Sequence, residues 1–283
     1  MLGTLYVVAT PIGNLEDITL RALRILREVD LVACEDTRQT AKLLSHYQIE
    51  KPKISYHEHN EAQKAATLLS ELQRGKQVAL VSDAGTPCIS DPGYRIVRNA
   101  LENGIRVVPI PGPCSFIAAL SASGRPTDSL VFFGFLPSRK RARCNALESL
   151  KNEQRTVIFF ESPLRLVDTL ADFVAILGER PMTVARELTK IYEEIFFGST
   201  AEAHAHFSKK PVKGEIVLMV EKGALTKAAD VFPEKSEIER KVTELTEWLG
   251  MSKNEALKEL SAQYHVPKRA LYKLLLNSTD GEE

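Results

Sequence analysis

Short apolar runs alternate with amphipathic stretches along the first part of the chain. LYVV at 5–8, LVA at 31–33, KISY at 53–56, VALV at 78–81 and RVVPI at 106–110 carry the β-branched residues that suit buried strands. Between them apolar positions recur at helical spacing, as at Ile18, Leu20, Leu23, Ile25 and Leu26, or at Ala65, Leu68, Leu69 and Leu72. Strand and helix in turn predict a mostly parallel sheet covered on both faces. PGPCS at 111–115 interrupts the rhythm and marks the crossing to a second domain. Beyond it, strand-like runs at 130–135, 156–160, 182–186, 194–197 and 215–220 are only partly separated by helices, notably 164–177. That pattern predicts a mixed sheet with antiparallel members.

After Gly223 the composition turns to Thr, Lys, Asp and Pro, which reads as a linker over 224–235. Residues 236–283 read as helical. Apolar positions in 256–262 and 270–274, with a break at 263–266 and Pro267 suited to a first helical turn, have helix-turn-helix spacing. The expected fold class is therefore α/β. Two α/β domains, 1–114 with a mostly parallel sheet and 115–223 with a mixed one, flank a cleft, and a small helical tail domain follows. A chain of 283 residues, 44% hydrophobic, is long enough for such cores. Lys+Arg and Asp+Glu balance at 37 each, so charge matters only where it is locally clustered. The four cysteines form no CxxC pair, which argues against a zinc ribbon or a disulfide framework and fits a reducing compartment. No apolar run reaches membrane-spanning length, and a strand begins almost at the N-terminus. A cytoplasmic protein without a membrane partner is expected.

Candidate chemistry concentrates where the strands end. The VALV run opens directly into SDAGTPCISDPG at 82–93, a loop far richer than a chain reversal needs. ATPIGNL at 9–15 and PGPCS at 111–115 follow two further strands of the same sheet, the position at which open α/β sheets hold ligands. The first of these has one glycine where a dinucleotide fingerprint has three, and no Walker sequence occurs. Three charged groups admit two readings each. YHEHN at 56–60 sets two imidazoles beside a carboxylate, or is a turn capped by Asn60; no third ligand cluster supports a metal. CEDTR at 34–38 either meets substrate or caps the next helix. ARELTK at 185–190 holds a structural ion pair, or places Glu187 and Lys190 near the reacting group. SRKRAR at 138–143 is the one dense basic run and reads as a loop able to meet phosphates. Lys258, Lys268, Arg269 and Lys273 add positive charge to the tail.

The fragments TPIGNLEDIT, ACEDTR, VSDAGTPCISDPG, PIPGPCS, FGFLP, FFES, ARELTK and KGEIVLMVE together resemble one family. It is the bacterial 16S ribosomal RNA 2′-O-ribose (cytidine) methyltransferase I family of the tetrapyrrole-methylase superfamily. The resemblance runs from about Leu5 to Glu221 and continues into the tail. It implies S-adenosylmethionine in the cleft between two α/β domains, a homodimer, and as target a decoding-centre cytidine of the 16S ribosomal RNA in the small ribosomal subunit. Porphyrin-precursor methylases carry a GxGxG turn after the first strand and a GDP-type loop; here stand TPIGN and DAGTP, which fits the ribosomal RNA branch.

The donor site is expected at Pro11, Asp83, Gly85, Thr86, Ser115 and Ala185. Backbone N–H groups of the 85–86 and 115 loops would meet the donor's carboxylate, and Asp83 its ammonium and hydroxyls. A sulfonium wants a site without nearby Lys or Arg, and the three loops contain none. Displacement at sulfonium needs no metal. His59, Glu187 and Lys190 are the catalytic candidates, with the base unassigned among them. Arg139, Lys140, Arg141 and Arg143, with Lys268 and Arg269 of the tail, are the expected RNA contacts. Two other readings stay open: methylation of a tetrapyrrole-like small molecule, and a non-enzymatic RNA-binding assembly factor.

Overall fold

The computed structural model describes residues 1–222, 235–248, 250–264 and 266–276. The chain divides into two compact units, Met1–Gly223 and Ala224–Glu283. The expected linker, apart from Lys235, lies outside the described residues.

In the first unit, strands β1 (Thr4–Val8), β2 (Leu31–Cys34), β3 (Lys53–Ser55), β4 (Val78–Val81) and β5 (Arg106–Ile110) form one sheet. Their order is β3-β2-β4-β1-β5, and every pairing is parallel. Helices α1 (Leu20–Glu28) and α2 (Thr37–His46) cover one face, packed with Val8, Ala79 and Val81. Helices α3 (Glu61–Gln73) and α4 (Tyr94–Glu102) cover the other, packed with Leu5, Val78 and Leu80. Successive residues of a strand thus serve opposite layers, as the strand period of two requires. All four residues of β4 are buried, the mark of a central parallel strand.

The chain leaves β1 toward β2 on one side of the sheet and leaves β4 toward β5 on the other. Adjacent strands whose connections diverge open a crevice at their carboxyl ends. The loops at 9–14 and 82–93 start there.

Helix α5 (Ser115–Ser121) begins where PGPCS ends and carries the chain to the second sheet. That sheet comprises β6 (Leu130–Phe135), β7 (Thr156–Glu161), β8 (Pro181–Arg186), β9 (Glu194–Ser199) and β10 (Ile216–Val220). Its order is β6-β7-β10-β8-β9, parallel between β6 and β7 and antiparallel elsewhere. Helices α6 (Lys140–Ser149), α7 (Leu166–Leu177) and α8 (Thr200–Phe207) pack their apolar sides on one face around Phe159 and Phe173. Ala119 and Leu120 of α5 cover the opposite face with Ala185, Val217 and Met219. All ten expected strands form, in one parallel and one mixed sheet.

One expectation fails at α6. The run SRKRAR was read as a loop, but from Lys140 onward it is helix. Ala142, Ala146 and Leu147 favour helix, and Arg143 with Leu147 forms an i,i+4 pair that both turn inward.

Where β9 runs into α8, Ser199 accepts the Glu202 N–H while Glu202 accepts the Ser199 N–H, a reciprocal capping box. Ser199→Ala is expected to cost about 1 kcal/mol, read as a lower denaturation midpoint at unchanged m-value.

The second unit holds α9 (Lys235–Trp248), α10 (Lys253–Gln263) and α11 (Lys268–Leu276). Ile238, Val242, Leu257, Leu260, Val266 and Leu271 form its core. Pro267 stands just before α11, where its carbonyl accepts the Ala270 and Leu271 N–H groups.

Candidate functional site

The crevice between β1 and β4 is closed at its base by a direct link. Thr10 donates its N–H to the Gly85 carbonyl at 2.9 Å, and Gly85 returns the bond at 3.0 Å. The Thr10 hydroxyl donates to the Ser82 carbonyl at 3.0 Å. Thr86 ties the same loop to the third one by donating to the Pro113 carbonyl at 3.0 Å. Asp83 Oδ1 accepts the Asp36 N–H at 2.9 Å, so the β2 loop joins the group. Asp36 itself caps α2 by accepting the Arg38 N–H. Asn60 precedes α3 but does not cap it; its Oδ1 accepts the His57 N–H.

Over these loops lies a cavity of about 400 Å³, within the usual range for small-molecule sites. The 83–91 loop, Ile12, Cys114 and Ser115 line it from the first sheet. The second sheet supplies Phe135, residues 160–163, Ala185, Leu188 and residues 214–217. The halves meet closely at Gly13, where an added Cβ would stand 2.5 Å from Lys190 Cγ and 2.8 Å from Thr189 Oγ1. The walls are apolar at Ile12, Ile89, Phe135, Phe160, Leu188 and Val217. Their charge is one-sided: Asp83, Asp91, Glu161 and Glu215 line the cavity, and among the described residues no Lys or Arg does.

Three of these carboxylates are engaged. Asp83 holds the Asp36 N–H. Glu161 is buried and accepts from Arg165, Thr169 and the Ser162 N–H. Glu215 pairs with Lys190 at 3.1 Å. The fourth, Asp91, is in no ion pair among the described residues. Burial pushes its carboxyl up from the ordinary carboxylate range, and Asp83 and Glu215 add to this against the lowering influence of the Ser82 hydroxyl.

Of the expected donor residues, Asp83, Gly85, Thr86, Ser115 and Ala185 line the cavity. Pro11 is buried and does not line the cavity; its neighbour Ile12 does. The Gly85 N–H is taken by Thr10, which corrects the expectation that it meets a ligand anion. Glu187 and Lys190 are brought together at 2.8 Å behind Leu188 and Glu215, not on the cavity lining. The hydrogen bond from Lys190 holds the Glu187 carboxyl below its ordinary range. Burial opposes the Lys190 charge, yet its bonds to Glu187 and Glu215 raise its pKa. Both groups are therefore fixed in their charged forms, and neither is poised to exchange a proton near neutral pH. His59 is exposed after the edge strand β3, two strands from the crevice, and does not line the cavity.

Arg139, Lys140 and Arg141 are exposed. Arg143 is not, and its assignment as an RNA contact is corrected here: it is 4% exposed and pairs with Asp172 at 2.7 Å. Lys268 and Arg269 are exposed at the start of α11. Phe160, Glu161, Ser162 and residues 214–217 were absent from the expected site, although FFES and KGEIVLMVE contain them. Asp91 was missed too, inside the very loop that drew attention first. Among the described residues no group of His, Cys, Asp and Glu is arranged to hold a metal ion.

The family model of Tetrapyrrole (Corrin/Porphyrin) Methylases matches residues 4–204. A Ribosomal RNA small subunit methyltransferase I of Halalkalibacterium halodurans is 48% identical over 273 residues, covering 96% of this chain and 94% of that protein. A relative of the same name from Thermotoga maritima is 49% identical over 219 residues, covering 77% of this chain and 98% of its own length. Among solved structures, a uroporphyrin-III C-methyltransferase from Thermus thermophilus, complexed with S-adenyl homocysteine, superposes with a TM-score of 0.55. It is 19% identical and covers 77% of this chain and 97% of that one, a likeness of fold.

Proposed function

Since the chain belongs to the ribosomal RNA small subunit methyltransferase I family of tetrapyrrole methylases, we propose that it moves a methyl group from S-adenosylmethionine to RNA. The acceptor is the ribose 2′-hydroxyl of a decoding-centre cytidine in 16S ribosomal RNA, within the small ribosomal subunit. The observation that carries the donor assignment is the cavity's acidic lining: among the described residues no cation lines it, and Asp83 and Asp91 are in no ion pair there, which suits a ligand that bears a sulfonium and an ammonium. When bound, that donor supplies a methyl group on cationic sulfur.

The chain's own residues give the donor shape and orientation. Of the residues that line the cavity, Asp83 and Glu215 would meet its positive groups, while Ile12, Leu188 and Val217 would exclude water around its apolar parts. Gly85, Thr86, Ser115 and Ala185 form the floor and far wall, and Pro11 precedes Ile12 in the chain. Glu187 and Lys190 act as positioning residues: their pair fixes Leu188 and the Glu215 backbone, whose N–H donates to Glu187 Oε1 at 3.0 Å. Holding the two reactants in line supplies much of the acceleration of such a displacement.

RNA is assigned to Arg139, Lys140 and Arg141 at the start of α6, with Lys268 and Arg269 on the tail. The Thermotoga maritima relative spans little beyond its 219 matched residues, which favours a catalytic body complete without the tail and a tail devoted to substrate affinity. A cytoplasmic homodimer completes the assignment.

The test incubates the protein with methyl-labelled S-adenosylmethionine and small subunits from cells lacking the gene. Label at the ribose of one 16S cytidine is the expected result; label confined to a small tetrapyrrole, or absent together with donor binding, would overturn it. Replacing Arg139, Lys140 and Arg141 by Ala should weaken RNA binding and lower its salt-dependence slope by about 1 per lost phosphate contact. Calorimetric affinity for the donor should stay unchanged.

A further inference from the structure

The methyl acceptor in the proposed function is an alcohol, and an alcohol oxygen must shed its proton as it gains a carbon. None of His59, Glu187 and Lys190 is placed to take it: the first is outside the cavity and the other two are locked in a charged pair. The four carboxylates that do line the cavity differ in what already occupies them. Asp83 is held by a backbone N–H, Glu161 by an arginine, a threonine and a backbone N–H, and Glu215 by Lys190. Asp91 alone carries neither an ion pair nor a backbone bond among the described residues.

We infer that Asp91 is the proton acceptor of the reaction, a catalytic residue that touches the ribose 2′-hydroxyl; this rests on the function proposed above. In the step, the hydroxyl oxygen bonds to the methyl carbon as the carbon–sulfur bond breaks. The hydroxyl proton passes to the Asp91 carboxylate, and the sulfur departs as a neutral thioether. Charge balances, since one cation and one carboxylate are both neutralised.

The place of Asp91 is set from outside the cavity. Glu61, on α3, accepts N–H bonds from Gly93 and Arg95 at 3.3 Å, and the buried Tyr56 hydroxyl donates to the same Glu61 oxygen at 3.0 Å. The turn that carries Asp91 is thus pinned two residues downstream, at the start of α4, to the neighbouring helix α3. Asp83 on its own loop and Glu215 just before β10 act on the Asp91 charge through space, with the Ser82 hydroxyl acting against them, and Glu35 just after β2 feels Asp91 in turn. These carboxylates together with burial raise its basicity, the adjustment a carboxylate needs to accept a proton near neutral pH. A cationic donor in the same cavity draws the carboxyl back toward its ionised form, so the base is charged when the donor is present.

The experiment compares wild type, Asp91→Asn and Asp91→Glu in three measurements: calorimetric affinity for S-adenosylmethionine, kcat on small subunits, and the pH profile of kcat/KM. Wild type should lose activity on the acid side as Asp91 protonates. Asp91→Asn should bind the donor only modestly more weakly, having lost one charge that favours a cation, yet turn over roughly a hundredfold more slowly and lose that acid limb. Asp91→Glu should restore part of the rate together with the limb. Donor affinity falling in step with rate would make Asp91 a donor contact instead, and an Asn variant with the wild-type rate or the wild-type acid limb would remove it from proton transfer. Failure of the functional reading itself shows elsewhere, as wild-type protein that labels no RNA.

Discussion

Gly85→Val will lower the affinity for S-adenosylmethionine about a hundredfold, or ~2.7 kcal/mol, while the protein stays folded. Gly85 has φ of +82°, a region that a β-branched residue enters only under strain. Such strain costs on the order of 1–3 kcal/mol. The loop relieves it by breaking the two hydrogen bonds with Thr10, and those bonds set the spacing of the β1 and β4 loops at the cavity floor. Space is not the difficulty. A Cβ at this position would find Ile12 Cγ2 at 3.4 Å and the Pro113 carbonyl at 3.9 Å, the nearest atoms. Gly85→Ala should therefore lose only about five- to thirtyfold, since a single Cβ in the left-handed region costs roughly 1–2 kcal/mol. Isothermal calorimetry on both variants, with circular dichroism as the folding control, gives the ranking. Equal losses for Ala and Val would point to a missing contact of Gly85 rather than to its backbone.

Arg143→Ala is expected to destabilise the protein by about 3–5 kcal/mol, the usual cost of leaving one member of a buried ion pair alone. Arg143 and Asp172 have side chains only 5% and 10% exposed, and Arg143 Nε donates to Asp172 Oδ2 at 2.7 Å. Removing the guanidinium strands a carboxylate between α6 and α7. The cost is thus one of desolvation more than of lost attraction. Replacing both partners by apolar residues, Arg143→Met with Asp172→Leu, should recover most of it. Denaturant midpoints of the two singles and the double supply the cycle. Affinities for RNA and donor, measured well below the melting temperature, should stay near wild type. A stable Arg143→Ala variant with weakened RNA binding would return this residue to the surface cluster with Arg139, Lys140 and Arg141.

Most of the architecture was legible because strand and helix periods differ and Pro and Gly punctuate them. VALV at 78–81 reads as a central strand and is buried at every position. PGPCS reads as a crossing and delivers α5 to the second sheet. The loops that line the cavity were legible for a related reason: a long loop of Ser, Asp, Gly, Thr and Pro after a parallel strand has little else to do. The catalytic candidates were not. His59 stands close in sequence to a strand end, yet β3 is the sheet edge, and neighbouring strands are separated by ~5 Å. Strand order, which no local pattern encodes, put two strand spacings between His59 and the crevice.

The sequence by itself determined the elements, their alternation and the three loops at strand ends, since these follow from residue-scale preferences and short-range periodicity. Only the tertiary structure decided which charges belong to the site. Arg143 turns inward because Asp172, 29 residues away, meets it there. Asp91 is set apart from three other carboxylates by what Asp36, Arg165 and Lys190 do to them. Burial and pairing are properties of neighbours brought together by folding, and they fix whether a given charge is a strut, a surface contact or a base.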